Sequence, residues 1–223
     1  MTRVHRSIAD CPGIVPLFPL TGSMLLPRGH LPLNIFEPRY LSLVDDALGS
    51  WRVIGIIQPD IDGETAESEA SASLYKVGSV GRITQFVELE DGRYLISLTG
   101  ISRFRIIEEL PVLTPYRQAR VEYEPFLVDF TARSGEEEVD RQSVLDVLRR
   151  FAVARNLRVD WKAIEQASNE ALINALSMMS PFGAREKQAL LEAIDLKSRA
   201  EMLVTITEIE LARKGVEPDP TLQ

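Results

Sequence analysis

The sequence is poor in the residues that build most catalytic and metal centres. Its 223 residues include one cysteine, Cys11, and two histidines, His5 and His30. A single cysteine excludes an intramolecular disulfide framework, and three soft ligands of this kind are too few for a zinc cluster. No two glycines stand five positions apart, so a GxxxxGK[ST] phosphate loop cannot occur, and GxGxxG is absent as well. Positive charge is in deficit: Lys and Arg number 25 against 33 Asp and Glu, for a net charge of −8. That balance argues against a broad phosphate-binding surface. Apolar runs are short, none approaching the roughly 18 residues of a membrane helix. The first residues, MTRVHRSIADCPG, lack the apolar centre of a secretory signal. These absences predict a soluble, cytoplasmic chain without metal, cofactor or membrane span.

What is present is concentrated first in residues 15–40, VPLFPLTGSMLLPRGHLPLNIFEPRY. Five prolines fix φ and withhold backbone donors, so the stretch cannot be one helix or a central strand. Yet Leu17, Phe18, Leu25, Leu26, Leu31, Ile35 and Phe36 are too apolar for a solvated loop. Bent extended pieces wrapped into a β core are expected, with strands at 15–20 and 31–36. Pro38 sits where helices begin, Tyr40, Leu41, Val44, Ala47 and Leu48 follow at helical spacing, and Gly49 closes the helix.

The chain then reads as strands. Residues 51–57 are rich in β-branched side chains. Residues 58–73 carry Asp60, Asp62, Glu64, Glu67 and Glu69 with little to bury, and read as a surface loop. Alternation from Val80, a tight turn at Asp91–Gly92 and the return RYLISLTGISRFRII predict a hairpin. Gly100 interrupts the return, giving two strands or one strongly bent one. Residues 116–123 add a further strand. Many short strands with one helix suggest a small closed or half-closed barrel over 14–124.

Beyond 124 the pattern turns helical, over 134–214. Ser134-Gly-Glu-Glu137 reads as a capping box, and Val144, Val147, Leu148 and Phe151 form an apolar stripe. Asp160 caps a second helix carrying Ile164, Ala167, Ala171, Leu172, Ala175, Leu176 and Met179. Helices at 184–194 and 196–214 follow, the last closed by Gly215, and an acidic, proline-containing tail ends the sequence. The helical half also offers surface for self-association.

Catalytic constellations are lacking. A nucleophilic site would need His5, in the frayed start, or His30, inside the proline-rich stretch. Lys197 and Ser198 are adjacent in a helix start, so their side chains diverge by about 100° and cannot form a dyad. The carboxylates Glu108, Glu109, Glu136 and Glu138 lie at a strand end or in a helix's first turn, without a pocket. Gly78-Ser-Val-Gly81 has the GxxG form of a KH loop, but it precedes a strand rather than joining helices.

A resemblance runs through separated segments in order. VPLFPL, LPLNIFEPRYLSLVDDAL, VGSVGRI, DGRYLISLTGISRFRI, the PY at 115–116 and EKQALLEAIDLKSRAEML resemble the N-terminal, substrate-binding domain of Lon proteases over roughly 14–211. The resemblance implies an α+β fold: a PUA-like β pseudo-barrel followed by a C-terminal helical bundle. It also implies a domain that recognises polypeptide segments, while separate ATPase and peptidase modules do the chemistry. With neither Walker motif nor Ser–Lys module, the sequence reads as a stand-alone, non-catalytic binding module, an adaptor for proteolysis or protein quality control. Its expected partners are polypeptide segments, a protease or a chaperone, met in a groove between barrel and bundle with edge-strand hydrogen bonds in reserve. The candidate contacts are Phe36, Glu37, Arg39 and Tyr40, beside the helix start. RNA binding through the PUA-like barrel is the alternative, weakened by the absence of a basic stripe with interleaved aromatics.

Overall fold

The computed structural model describes residues 7–60 and 72–216, with side chains described to Arg213. After a 3-10 turn at Ile8–Asp10 come β1 (Ile14–Pro19), β2 (His30–Ile35), α1 (Pro38–Leu48), β3 (Val53–Ile57), β4 (Val77–Glu88), β5 (Tyr94–Leu110) and β6 (Gln118–Glu122). The helical part comprises α2 (Arg141–Ala154), α3 (Trp161–Gln166), α4 (Asn169–Met179), α5 (Ala184–Glu192) and α6 (Leu196–Val216). The acidic stretch expected as a loop falls mostly at 61–71, and the tail at 217–223; both lie outside the described residues, as does His5.

The strands are ordered β2-β5-β4-β3-β1-β6, and β5 also pairs with β6. Five strands therefore close on themselves, which removes their edges. Among the described strands only β1 and β3 pair in parallel. β2 stands outside the ring, paired along one side to β5. The 17 residues of β5 pair with β4 along one edge and share the other between two strands, β2 along the first half and β6 along the second. The change-over falls where Gly81 faces Gly100 while Val80 faces Ser102, so Ile101 is an extra residue. Of the two readings of Gly100, the single bent strand is the one observed. A bulge bends the strand without breaking it.

The proline-rich stretch supplies all three parts of the core. Val15 and Leu17 point into the barrel beside Val80, Phe104, Ala119 and Val121. Phe18, Leu25 and Ile35 pack with Tyr40, Leu43 and Val44 of α1. Met24 and Leu26, in the turn between β1 and β2, enter the helical core with Leu172, Ile173, Leu190 and Leu203. Leu17, Leu25 and Leu26 are fully buried, each contributing about 1.5–3 kcal/mol.

Three expectations in the helical half need correction. Ser134–Glu137 does not start a helix: Gly135 adopts φ 74°, and Glu136–Glu138 make only a 3-10 turn. The cap of α2 is Asp140, whose carboxylate accepts from the Ser143 amide. The helix expected from Asp160 to Met179 is two helices, because Ser168 takes extended backbone and its hydroxyl caps α4 through the Ala171 amide. Gly215 does not end α6, which continues to Val216.

Buried protons give the fold an alkaline limit. Tyr123 donates to the Pro12 carbonyl at 2.9 Å and Tyr116 to the Asp46 carboxylate at 2.6 Å. Burial raises both phenols above their ordinary range, helped at Tyr116 by the Asp46 carboxylate and at Tyr123 by Cys11, and burial with the Asp10 charge raises Cys11 to about 12. The unfolded chain releases these protons from about pH 9–10 upward while the folded chain keeps them, so stability falls as pH rises through that range. Arg199 works in the opposite direction, since burial and the Arg103 charge lower it to about 10. Lys187, lowered by burial, works the same way as Arg199, while Tyr94, raised by burial, adds to the other set, so four groups stand against two. The unfolding midpoint in urea is expected to drop between about pH 9 and pH 11, and Tyr123→Phe to show a shallower slope. A level midpoint in both proteins would contradict this.

Candidate functional site

Barrel and bundle are joined by buried charge. Arg103 on β5 is 1% exposed and Asp129 is 5% exposed. The guanidinium binds the carboxylate through two N–H···O bonds, Nε to Oδ2 at 2.9 Å and Nη2 to Oδ1 at 2.8 Å, while the Arg103 amide donates to Oδ2 at 2.8 Å. Its Nη1 reaches the carbonyls of Leu191 and Ala193 at the end of α5, and the guanidinium lies 4.6 Å from the Phe126 ring centroid. Arg199 of α6 donates to the Leu190 carbonyl and to Asn174, whose amide donates to the Pro27 carbonyl. The chain Arg199–Asn174–Pro27 ties the bundle to the turn before β2.

That turn and α4 form the two walls of a groove of about 540 Å³. One wall is Pro27, Arg28, Gly29 and His30; the other is the α4 face bearing Ala171, Ala175, Met178 and Met179. Ala171, Ala175 and Met179 recur at i, i+4 and i+8, so they share one row. The opposite side of α4, through Leu172 and Ile173, fills the bundle core. A helix apolar on both sides has two surfaces to cover. Sequence reading placed these apolar residues together on one helix; in the structure Ala171, Ala175 and Met179 are exposed. Met178 is half-buried beneath them, its sulfur against Gly29.

The groove opens onto the free edge of β2. The Gly29 carbonyl accepts from the Gly100 amide at 2.9 Å, so odd-numbered residues turn towards β5. By alternation the backbone groups of His30, Pro32 and Asn34 face outward. Pro32 lacks an N–H, which blunts the edge beyond its first residues. His30, read from sequence as a turn residue or a packed imidazole, opens this edge strand with an exposed ring 3.1 Å from the Thr99 hydroxyl.

The four sequence-chosen contacts lie elsewhere. Phe36 follows the far end of β2, about 20 Å of strand from His30. It is 62% exposed. Glu37 and Arg39 pair locally, Arg39 Nε to Glu37 Oε2 at 2.9 Å. Tyr40 is 5% exposed, stacked on Phe18 with ring centroids 4.2 Å apart and capped by the Arg39 guanidinium at 4.4 Å. Arg39 and Tyr40 border a smaller cleft of about 280 Å³ with Leu110, Tyr116 and Arg117. None of the four lines the groove. A larger hollow of about 700 Å³ lies between α2 and α3, where Arg149 caps the Trp161 ring. It has no strand edge beside it. Among the described residues, no cluster of three or more His, Cys, Asp or Glu is placed to hold a metal, and no helix is long and apolar enough to cross a membrane.

The family model described as the ATP-dependent protease La (LON) substrate-binding domain matches residues 14–208. The chain belongs to the Lon substrate-binding domain family. Lon protease 2 of Sorangium cellulosum (strain So ce56) is 31% identical over 207 residues, covering 88% of this chain and 25% of that protein. Lon protease 2 of Myxococcus xanthus is 29% identical over 206 residues, covering 88% and 24%. The chain thus spans about a quarter of the length of the curated relatives it matches. Two solved structures share the fold. The Lon N-terminal domain protein from Xanthomonas campestris has a TM-score of 0.59 at 22% identity, covering 86% of this chain and 97% of that one. The N-terminal domain of Mycobacterium avium complex Lon protease has 0.61 at 17% identity, covering 87% and 98%. The α+β architecture, a β pseudo-barrel followed by a helical bundle, is that of Lon substrate-binding domains.

Proposed function

We propose that this chain binds extended polypeptide segments in the groove between barrel and bundle, without catalysing a reaction on them, and presents them to a protease or chaperone. The observation that carries the reading is the continuity of an exposed apolar row on α4 with the open start of β2. Apolar side chains of a segment rest on Ala171, Ala175 and the two methionines, while its backbone meets the outward groups of His30. Methionines suit varied sequences because the thioether is flexible and polarisable. Affinity for any one segment is modest, since ordering an unfolded chain opposes binding. The RNA reading draws less support: on the barrel wall Arg105, Arg117 and Arg120 are paired with Glu122, Glu109 and Glu108, leaving no unpaired stripe there for a phosphate backbone.

Fluorescence anisotropy with a labelled, permanently unfolded polypeptide tests the proposal against the same polypeptide folded. Binding of the unfolded form only is expected. Ala175→Arg, which fills the groove from an exposed helix position, is expected to weaken binding about tenfold. Its unfolding midpoint should shift little, by about 0.5 kcal/mol or less. Equal affinity for both forms, or full binding by Ala175→Arg, would remove the groove from the account.

A further inference from the structure

Four described non-glycine residues have positive φ, and two of them, Arg28 (φ 64°) and Arg133 (φ 63°), line the same groove. Left-handed backbone at a long side chain carries a conformational cost and persists only where the surroundings hold it. Here the holder is one residue of α4. Glu170 accepts from the Arg28 guanidinium through Oε1 and from the Arg133 amide through Oε2, the latter at 2.9 Å. Its own amide donates to Glu136 at 2.8 Å, and Glu136 in turn accepts from Arg133 Nε at 2.7 Å. Burial works against the Glu136 charge, but the Glu170 amide and the Arg133 guanidinium hold its carboxyl below the ordinary range. The result is an asymmetric clasp. The carboxylate side chains are tucked in, Glu170 13% and Glu136 12% exposed, whereas the guanidinium side chains face out, Arg28 39% and Arg133 69% exposed.

Both arginines keep N–H donors free. Arg28 uses Nη1 on the Asp129 carbonyl and Nη2 on Glu170; Arg133 uses Nε on Glu136. A guanidinium has five donors, so each can take a further acceptor. In a chain of net charge −8, the lips of this groove thus present outward positive charge over an apolar floor. Resting on the polypeptide-binding reading above, we infer that the groove selects extended segments in which an Asp or Glu side chain neighbours an apolar residue, the carboxylate pairing with Arg28 and Arg133 while the apolar residue sits on Ala175 and Met179. An acidic side chain fits better than a chain's terminal carboxylate. Terminal carboxylates are captured by clustered backbone amides, and here the amides of Arg28, Gly29 and Arg133 already donate to Gly100, Leu26 and Glu170.

The test measures anisotropy for three labelled peptides that share one apolar extended sequence. One carries Glu beside the anchor residue with an amidated C-terminus; the second carries Gln there, also amidated; the third carries Gln with a free C-terminal acid. The Glu peptide is expected to bind about three- to fivefold tighter than the amidated Gln peptide at low salt, as a partly exposed ion pair allows. That preference should fade towards 0.5 M salt. Arg133→Gln, exposed and outside the core, should bring the affinities of the Glu and Gln peptides close together, the ratio between the two peptides in the same variant being what is read. Arg133→Glu should reverse the preference. Arg28→Gln gives a second arm, read only if its far-ultraviolet spectrum and unfolding midpoint match the parent. Equal binding of the Glu and Gln peptides overturns the acidic preference and leaves polypeptide binding standing. A preference that follows the free C-terminus instead overturns the side-chain assignment. Failure of all three peptides to bind overturns both readings.

Discussion

Asp129→Ala is expected to cost about 3–5 kcal/mol of folding stability, among the largest losses available to a single side chain here. Asp129 is the one acidic residue among the buried polar and charged residues described, and it faces two buried arginines. It neutralises Arg103 directly through two hydrogen bonds, and its charge also favours the protonated form of Arg199. Arg199 is already under strain: burial and Arg103 lower it to about 10, and one of its terminal nitrogens, Nη2, has no partner. Removing the carboxylate leaves Arg103 buried without its ion-pair partner and takes from Arg199 one of the three charges, beside Glu170 and Asp195, that favour its protonated form, so the desolvation of the pair is less well offset. The loss is read from urea unfolding at constant slope. The double variant Arg103→Met/Asp129→Leu separates this account from simple loss of packing. It removes charge together with counter-charge, so it should be less destabilised than Asp129→Ala alone, with a coupling of about 2 kcal/mol or more in the cycle. Additive losses would mean that the pair is not what joins barrel to bundle.

The legibility of the sequence follows from where each signal acts. Prolines, the Asp91–Gly92 turn and alternating side chains are local, so the strands, the α1 start at Pro38 and the closing hairpin could be read directly. The ring closure by β5 and β6 could be expected only as a closed or half-closed barrel, because the register shift at Ile101 lies in the pairing with β4 and depends on strands distant in sequence. Ser134-Gly-Glu-Glu137 has the spacing of a capping box, yet Gly135 turns left-handed and Glu136 is drawn off to hold Arg133 and the Glu170 amide. A tertiary contact overrode a local motif. Ala171, Ala175 and Met179 were visible as apolar helix positions, but the exposure of that row depends on where the turn before β2 comes to rest. Asp129 carried no signal at all. In FLVDF it reads as an ordinary acidic residue, and its value arises only when β5 brings Arg103 beneath it.

Gly100→Ala is expected to destabilise the fold by about 3 kcal/mol and to lower polypeptide binding beyond what lost stability explains. Gly100 does not need positive φ; it needs the absence of a Cβ. A methyl group there would overlap the Leu26 carbonyl, which is backbone and cannot rotate away. On either side of this contact Gly100 accepts from the Arg28 amide at 2.8 Å and donates to the Gly29 carbonyl at 2.9 Å. The bulge in β5 is therefore the seat of the whole turn 26–30, with Leu26 buried in the bundle core beneath it and Arg28 on the groove lip above. An added methyl must lift that turn, pulling Leu26 from its packing and moving Pro27 and Arg28 away from Asn174 and Glu170. Gly13→Ala is the matched control, since a Cβ at Gly13 meets nothing within 4 Å. It should change the unfolding midpoint by about 0.5 kcal/mol or less and leave binding intact. If Gly100→Ala were as stable as Gly13→Ala, the close approach of the turn to β5 would not hold. If it lost stability but kept full affinity at temperatures where it remains folded, the turn would not set the groove. The same glycine that bends a strand would then have no part in recognition, and the binding site would have to be sought away from the junction of β2 and α4.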